Sequence, residues 1–167
     1  DLVTRIVNEL YRFGIRKFVF LNGHGGNTPV LQRVCVDLDN KHALGALLNW
    51  WTIAGDLNPQ WKGGHGGGEE TAGILAVDPR LVKTEHLEIP EGIRNDLGDA
   101  LPYSAWTNIL YKGVSVTVPR EIRDITDNGW LVHSFKGDVP TRATREWGEE
   151  MLNAVADYIA EFGGAFS

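Results

Sequence analysis

Hydrophobic positions change period along the N-terminal third of the chain, and each change predicts an element. Leu2, Val3, Ile6, Val7 and Leu10 recur at helical spacing and Gly14 stands where a left-handed terminator belongs, which predicts an amphipathic helix over residues 1 to 13. Lys17-Phe-Val-Phe-Leu21 is a short apolar run rich in β formers, the pattern of a strand buried on both faces of a parallel sheet. Val30, Leu31, Val34 and Leu38 mark a second helix, and Leu44 to Trp51 is apolar enough for another central strand. Further on, Thr71, Ile74, Leu75 and Val77 supply the apolar side of a helix that Asp78-Pro79 stops. The pattern weakens from Leu81 to Asn128, with turns around Pro90 to Gly98 and a strand at Val114 to Val118. A hairpin or edge strand follows at Trp130 to Phe135, then a long helix from Thr141 to Phe162 ending at Gly163-Gly164. Helix, strand, loop, helix, strand is the grammar of a layered α/β fold with a mainly parallel sheet flanked by helices.

Sheets of that kind place ligands at the carboxyl ends of their strands. Two glycine clusters hold a histidine each: Leu21-Asn-Gly-His-Gly-Gly-Asn27, directly after the first strand, and Gly63-Gly-His-Gly-Gly-Gly-Glu-Glu-Thr71, which opens a helix. Glycine is entropically costly to order, so clusters of it mark sharp turns or close approach of a ligand to main chain. His24 is the stronger ligand candidate; the bland alternative is a turn histidine that hydrogen-bonds backbone. Asn22 and Asn27 offer amides to orient its ring or a bound water. Glu69 and Glu70 follow His65 at a helix start, where the macrodipole favours carboxylates, and one of the two is expected to face inward as ligand or base.

Composition narrows the chemistry. With 167 residues, 43% of them hydrophobic, the chain is read as one domain spanning 1–167. No window suits a membrane span and no signal pattern opens the chain, so a cytoplasmic protein is expected. A formal charge of −6 argues against nucleic acid or anionic membrane as partner and leaves a small-molecule substrate. Cys35 is the only cysteine, so a metal must be held by His, Asp and Glu; flanked by Val34 and Val36, it is expected as a buried structural thiol. Position 28 lacks the third glycine of a dinucleotide loop, and no Walker loop, His-Glu-x-x-His or Gly-x-Ser-x-Gly occurs. A histidine and carboxylate site for Zn²⁺, Mn²⁺ or Fe²⁺ remains.

Asn22-Gly-His-Gly-Gly-Asn27 followed by His65-x-Gly-x-x-Glu70-Thr71 resembles the creatininase (creatinine amidohydrolase) family, in which these blocks flank a metal centre. Gly137-Asp138, Ala143-Thr144 and Glu146-x-Gly148 are similar to the family's closing block. The resemblance implies a creatininase-like fold, commonly assembled as a homohexamer, and metal-dependent hydrolysis of amide-like C–N bonds in cyclic or formylated small molecules, with two metal ions per complete site. On this reading His24 binds one metal, and Glu70 binds the other or acts beside it. His65 protonates the leaving nitrogen or positions substrate, with Asn22, Gly25, Gly26 and Trp61 facing the substrate. The family's earlier block, Glu-x-His and then a metal-bridging aspartate, normally lies well upstream of Asn-Gly-His, and 21 residues precede Asn22 here. The expectation is therefore the C-terminal portion of such a domain, completed by an N-terminal fragment or second polypeptide that supplies the remaining ligands. Gly26 stands where creatininase itself has a metal-binding glutamate, so creatinine is not the expected substrate.

Trp50 and Trp51 adjoin in the expected second strand, which would turn them to opposite faces and put at least one in the core. His42 and His86 are read as surface residues and His133 as a hydrogen-bonded strand histidine. Two other classes stay open: a noncatalytic structural or regulatory subunit of the same fold, and an α/β domain binding a phosphate ligand through its glycine loops.

Overall fold

The computed structural model describes residues 2–87, 97–105, 107–127, 129–130 and 139–167. Two compact units are present, one formed by Asp1–Leu57 with Asn153–Ser167 and the other by Asn58–Leu152. The architecture is mixed α/β, with a parallel two-stranded sheet flanked by helices.

In the first unit helix α1 (Leu2–Arg12) ends at Gly14, whose φ of +95° is the left-handed conformation foreseen for it. Strand β1 (Lys17–Asn22) pairs in parallel with β2 (Leu44–Asn49), in register from Lys17 opposite Leu44 to Asn22 opposite Asn49. Helix α2 (Thr28–Asp39) makes the crossover, with Pro29 in its first turn, where a missing N–H costs nothing. Val7, Phe18, Val34, Leu38 and Ala43 form the core between helices and sheet, with Val3, Tyr11 and Phe20 packed against it. Each such valine, leucine or phenylalanine side chain contributes roughly 1.5–3 kcal/mol when fully buried.

Three expectations are corrected in this unit. β1 is buried on one face only: Phe18 and Asn22 are covered, whereas Val19 and Leu21, on the other face, are 43% and 60% exposed. Its apolar continuity exceeds what a two-stranded sheet can cover. The second strand stops at Asn49, and Trp50 and Trp51 open helix α3 (Trp50–Leu57). Their rings consequently meet edge to face, centroids 6.4 Å apart, instead of facing opposite ways. Cys35 is half-buried rather than fully buried, its Sγ lying where a Cβ on Gly45 would come within 2.8 Å; the partial burial pushes the thiol pKa up.

In the second unit a short 3-10 turn (Pro59–Trp61) leads through the glycine loop into α4 (Gly68–Val77). As the sequence indicates, Asp78 ends this helix, and its carboxylate accepts from the Arg80 backbone to cap the next turn. The buried side of α4 matches the expected one at Leu75 and departs from it at Ile74 and Val77. Gly68, Glu69, Ala72 and Leu75 face inward, while Ile74 and Val77 are 45% and 73% exposed. Close helix packing is the cause where the helices meet: a Cβ on Gly148 would collide with the Ala72 backbone, which leaves room there for nothing larger than alanine.

β3 (Tyr103–Ala105), β4 (Asn108–Tyr111) and β5 (Val114–Thr117) form an antiparallel sheet, of which the sequence had indicated β5. Lys112 and Gly113 join β4 to β5 with φ of +50° and +79°, the left-handed pair a tight type I′ hairpin requires. A single helical turn α5 (Ile122–Ile125) follows. The terminal helix α6 runs from Arg145 to Phe166, starting later and ending later than its sequence pattern implied. Thr144 delays the start, because its hydroxyl accepts the Trp147 N–H at 3.1 Å as an N-cap. The helix passes through Gly163-Gly164 because Phe162 and Phe166 stack across them, centroids 5.3 Å apart, and the Ser167 hydroxyl donates to the Gly163 carbonyl. Of the turns expected around Pro90 to Gly98, the part through Asp96 lies outside the described residues, as do the hairpin beyond Trp130, His133 and Gly137-Asp138. No described helix is long and apolar enough to cross a membrane.

Candidate active site

β1 and β2 both end in asparagine, and the parallel register sets Asn22 and Asn49 side by side at the carboxyl edge of the sheet. Asn22 is 1% exposed. Its amide nitrogen donates to Thr28 Oγ1 at 3.1 Å and Asn49 Oδ1 at 2.9 Å. Its amide oxygen accepts the His24 backbone N–H at 3.2 Å and Asn27 Nδ2 at 3.3 Å. Two donors and two lone pairs are thus all engaged within the loop, so Asn22 is its strut.

That strut holds His24 in extended backbone conformation at the head of a short 3-10 turn, Gly25–Asn27, with Nδ1 accepting the Gly26 N–H at 3.1 Å. The backbone-bonded histidine of the bland reading is therefore present, and the ring is exposed nonetheless. Gly26 has a steric reason to lack a side chain: a Cβ there would lie 3.0 Å from His24 Nδ1. At Gly25 a Cβ would lie 3.9 Å from the Trp51 ring, and Trp50 Nε1 donates to the Gly23 carbonyl at 3.3 Å. Both tryptophans thus flank the His24 loop. The sequence reading gave them to a strand; the signal that could have placed them is their position just past the Asn49 strand end.

The second glycine cluster is built in the other unit. Trp61 is 7% exposed, part of the packed interior rather than an open wall. Gly67 N donates to the Gly64 carbonyl at 2.9 Å, closing a turn in which Gly66 takes φ +69°. Glu70 Oε2 accepts the Gly66 N–H at 2.8 Å, tying the loop that carries His65 to the first turn of α4. Thr71 Oγ1 donates to the Gly67 carbonyl at 2.8 Å, a second tie between the same segments. Of the paired carboxylates, Glu69 is the buried one, 1% exposed, and a Cβ on Gly63 would coincide with its carboxylate. Glu70 is half-buried beside the His65 loop. His65 is half-buried, with Nε2 3.8 Å from where a Cβ on Gly129 would sit.

Each histidine block is thus assembled within its own unit: Asn22, His24, Gly25 and Gly26 with the two tryptophans, and His65 with Glu69, Glu70 and Gly129. Among the described residues no group of three His, Cys, Asp or Glu side chains gathers as a metal site. The donors present, imidazole nitrogen and carboxylate oxygen, are of a kind that suits a borderline divalent ion. At His24 a cation taking Nδ1 would displace one hydrogen bond worth about 0.5–1.5 kcal/mol, a small cost beside ligation.

Residues 1–162 match the family model described as Creatininase, creatinine amidohydrolase. No curated protein and no solved structure matches the chain.

Proposed function

Since the chain belongs to the creatininase family, a family of metal-dependent amidohydrolases of small molecules, we propose that it hydrolyses an amide-like C–N bond in a cyclic or formylated compound. Beyond the family match, the observation that supports this reading is the strand-end loop: a fully bonded asparagine strut presents an exposed imidazole on glycines that leave it accessible.

His24 and Glu70 are the proposed ligands of divalent metal, Zn²⁺, Mn²⁺ or Fe²⁺, with two ions in a complete site. Bound there, such an ion supplies Lewis-acid polarisation of the scissile carbonyl and an activated nucleophile at neutral pH. Glu70 can offer Oε1 while Oε2 stays on the Gly66 N–H, so ligation and loop geometry are compatible. His65 serves as the acid that protonates the leaving nitrogen, a role suited to a side chain whose ordinary pKa is about 6.5. Gly25 and Gly26, exposed beside His24, leave main chain open to substrate. Further ligands from another segment or a second polypeptide complete the coordination, because this chain's described donors fall short of a set. Assembly into a homo-oligomer, a hexamer by analogy with the family, belongs to the same proposal.

The test takes the protein with everything that copurifies, measures its transition-metal content, and assays hydantoin, N-formylglycine, 2-pyrrolidone and creatinine. Stoichiometric metal, turnover of one compound, loss of turnover in EDTA and a fall of about a hundredfold or more in His24→Ala are expected. Substoichiometric metal in the intact assembly would instead favour a noncatalytic subunit of the same fold. Turnover that survives chelation would sink the metal-dependent reading.

A further inference from the structure

One buried polar side chain of the second unit has no part in the proposed chemistry yet leads to it. Thr126 is 3% exposed, and its hydroxyl donates to the Trp130 carbonyl at 3.1 Å. Trp130 is itself 6% exposed, so this bond lies away from water, where leaving the carbonyl unpaired is costly. Between them Gly129 takes φ +84°, a conformation that L side chains rarely adopt.

Gly129 and Trp130 meet the loop that carries His65. Seen from Gly66, also left-handed at φ +69°, a Cβ would come within 3.1 Å of the Gly129 carbonyl oxygen, 3.1 Å of Trp130 Cα and 3.2 Å of Trp130 N. On its other side the Gly66 N–H is held by Glu70 Oε2 at 2.8 Å. The peptide next to His65 is thus gripped from two directions, by the Glu70 carboxylate and by the backbone of Gly129 and Trp130. Gly129 also abuts the ring, since its Cβ position lies 3.8 Å from His65 Nε2. Two left-handed glycines in contact make the approach as close as main chain allows, and any shift of Trp130 is passed directly to Gly66 and the imidazole.

We propose that Thr126 is a positioning residue for His65, acting through Gly129 and Trp130. The proposal rests on the role given to His65 above, and it assigns Thr126 no contact with substrate or metal. Removing the hydroxyl breaks its bond to the Trp130 carbonyl, lets Gly129 move, and loosens the imidazole without altering its chemistry. Displacements of that kind are costly for turnover and leave substrate binding largely intact.

The test uses the full chain. Nuclear Overhauser contacts between His65 ring protons and Gly129 α-protons are expected in the parent protein, weakened in Thr126→Val and restored in Thr126→Ser, which keeps the hydroxyl. On whichever of hydantoin, N-formylglycine, 2-pyrrolidone or creatinine is turned over, Thr126→Val should lower kcat by about tenfold to a hundredfold with KM little changed, and Thr126→Ser should recover it. Gly129→Asn is the second variant, because asparagine tolerates left-handed backbone while its side chain crowds the ring. It should fold, alter the same contacts and lower kcat. Folded Thr126→Val or Gly129→Asn protein with unchanged contacts and unchanged kcat would overturn the proposal. Full activity in His65→Ala would overturn the role given to His65, and the Overhauser contacts would still read the positioning separately.

Discussion

Asn22 shows how one side chain can carry a loop. Its four hydrogen bonds join β1, β2, the His24 backbone and the start of α2, and they are made by a side chain that is itself buried. Asn22→Ala should destabilise the protein by about 1–3 kcal/mol in urea unfolding, since four bonds made by one buried amide are lost together. Asn22→Asp should be worse than alanine at neutral pH, because a carboxylate has no donor for Asn49 Oδ1 or Thr28 Oγ1 and faces an acceptor instead. Equal stability of the two variants would refute the strut. The sequence pointed to Asn22 and His24 because both stand at a strand end in a glycine cluster. It did not reveal that Asn22 spends its amide on the loop, nor which glutamate of the pair is buried. Those outcomes depend on Asn49 and Gly63, partners that spacing along the chain does not identify.

At the scale of elements, local signals succeeded where one residue type has a single physical use. Gly14 ended α1 in left-handed conformation, and Asp78-Pro79 ended α4. They failed where packing outweighed propensity: Gly163 and Gly164 sit inside α6, and α4 turns glycine and alanine inward while Ile74 and Val77 face out. Two substitutions in the same helix should therefore have opposite signs. Gly148→Ala drives a Cβ into the Ala72 carbonyl and should cost about 1–3 kcal/mol or more. Gly163→Ala meets nothing within 4 Å and should stabilise by about 0.4–1 kcal/mol through helix propensity. Thermal unfolding of the pair checks both, and a common sign would show that the α4–α6 contact does not set the pattern.

For the whole molecule, exposed apolar surface is the consequence that sequence periodicity could not weigh. Leu2, Ile6 and Leu10 line one side of α1 at helical spacing, 75%, 51% and 42% exposed, Phe13 just beyond its end is 84% exposed, and Val19 and Leu21 lie bare on β1. Exposed apolar side chains in such number on neighbouring elements of one unit are the mark of an interface. Sedimentation velocity should accordingly find the protein, with what copurifies, in particles heavier than the 18.5 kDa chain, and a single monomeric boundary at micromolar concentration would refute this. By itself the sequence determined the α/β class, the family and the two glycine-wrapped histidines, because periodicity, turn chemistry and short motifs are local properties of a chain. Only the tertiary structure decided that Trp50 and Trp51 flank His24, that Glu69 is buried while Glu70 ties the loop, and that Thr126 is bonded to the Trp130 carbonyl while Gly129 lies against the His65 ring. Burial and hydrogen bonding between distant residues arise when the chain folds, and no local pattern carries them.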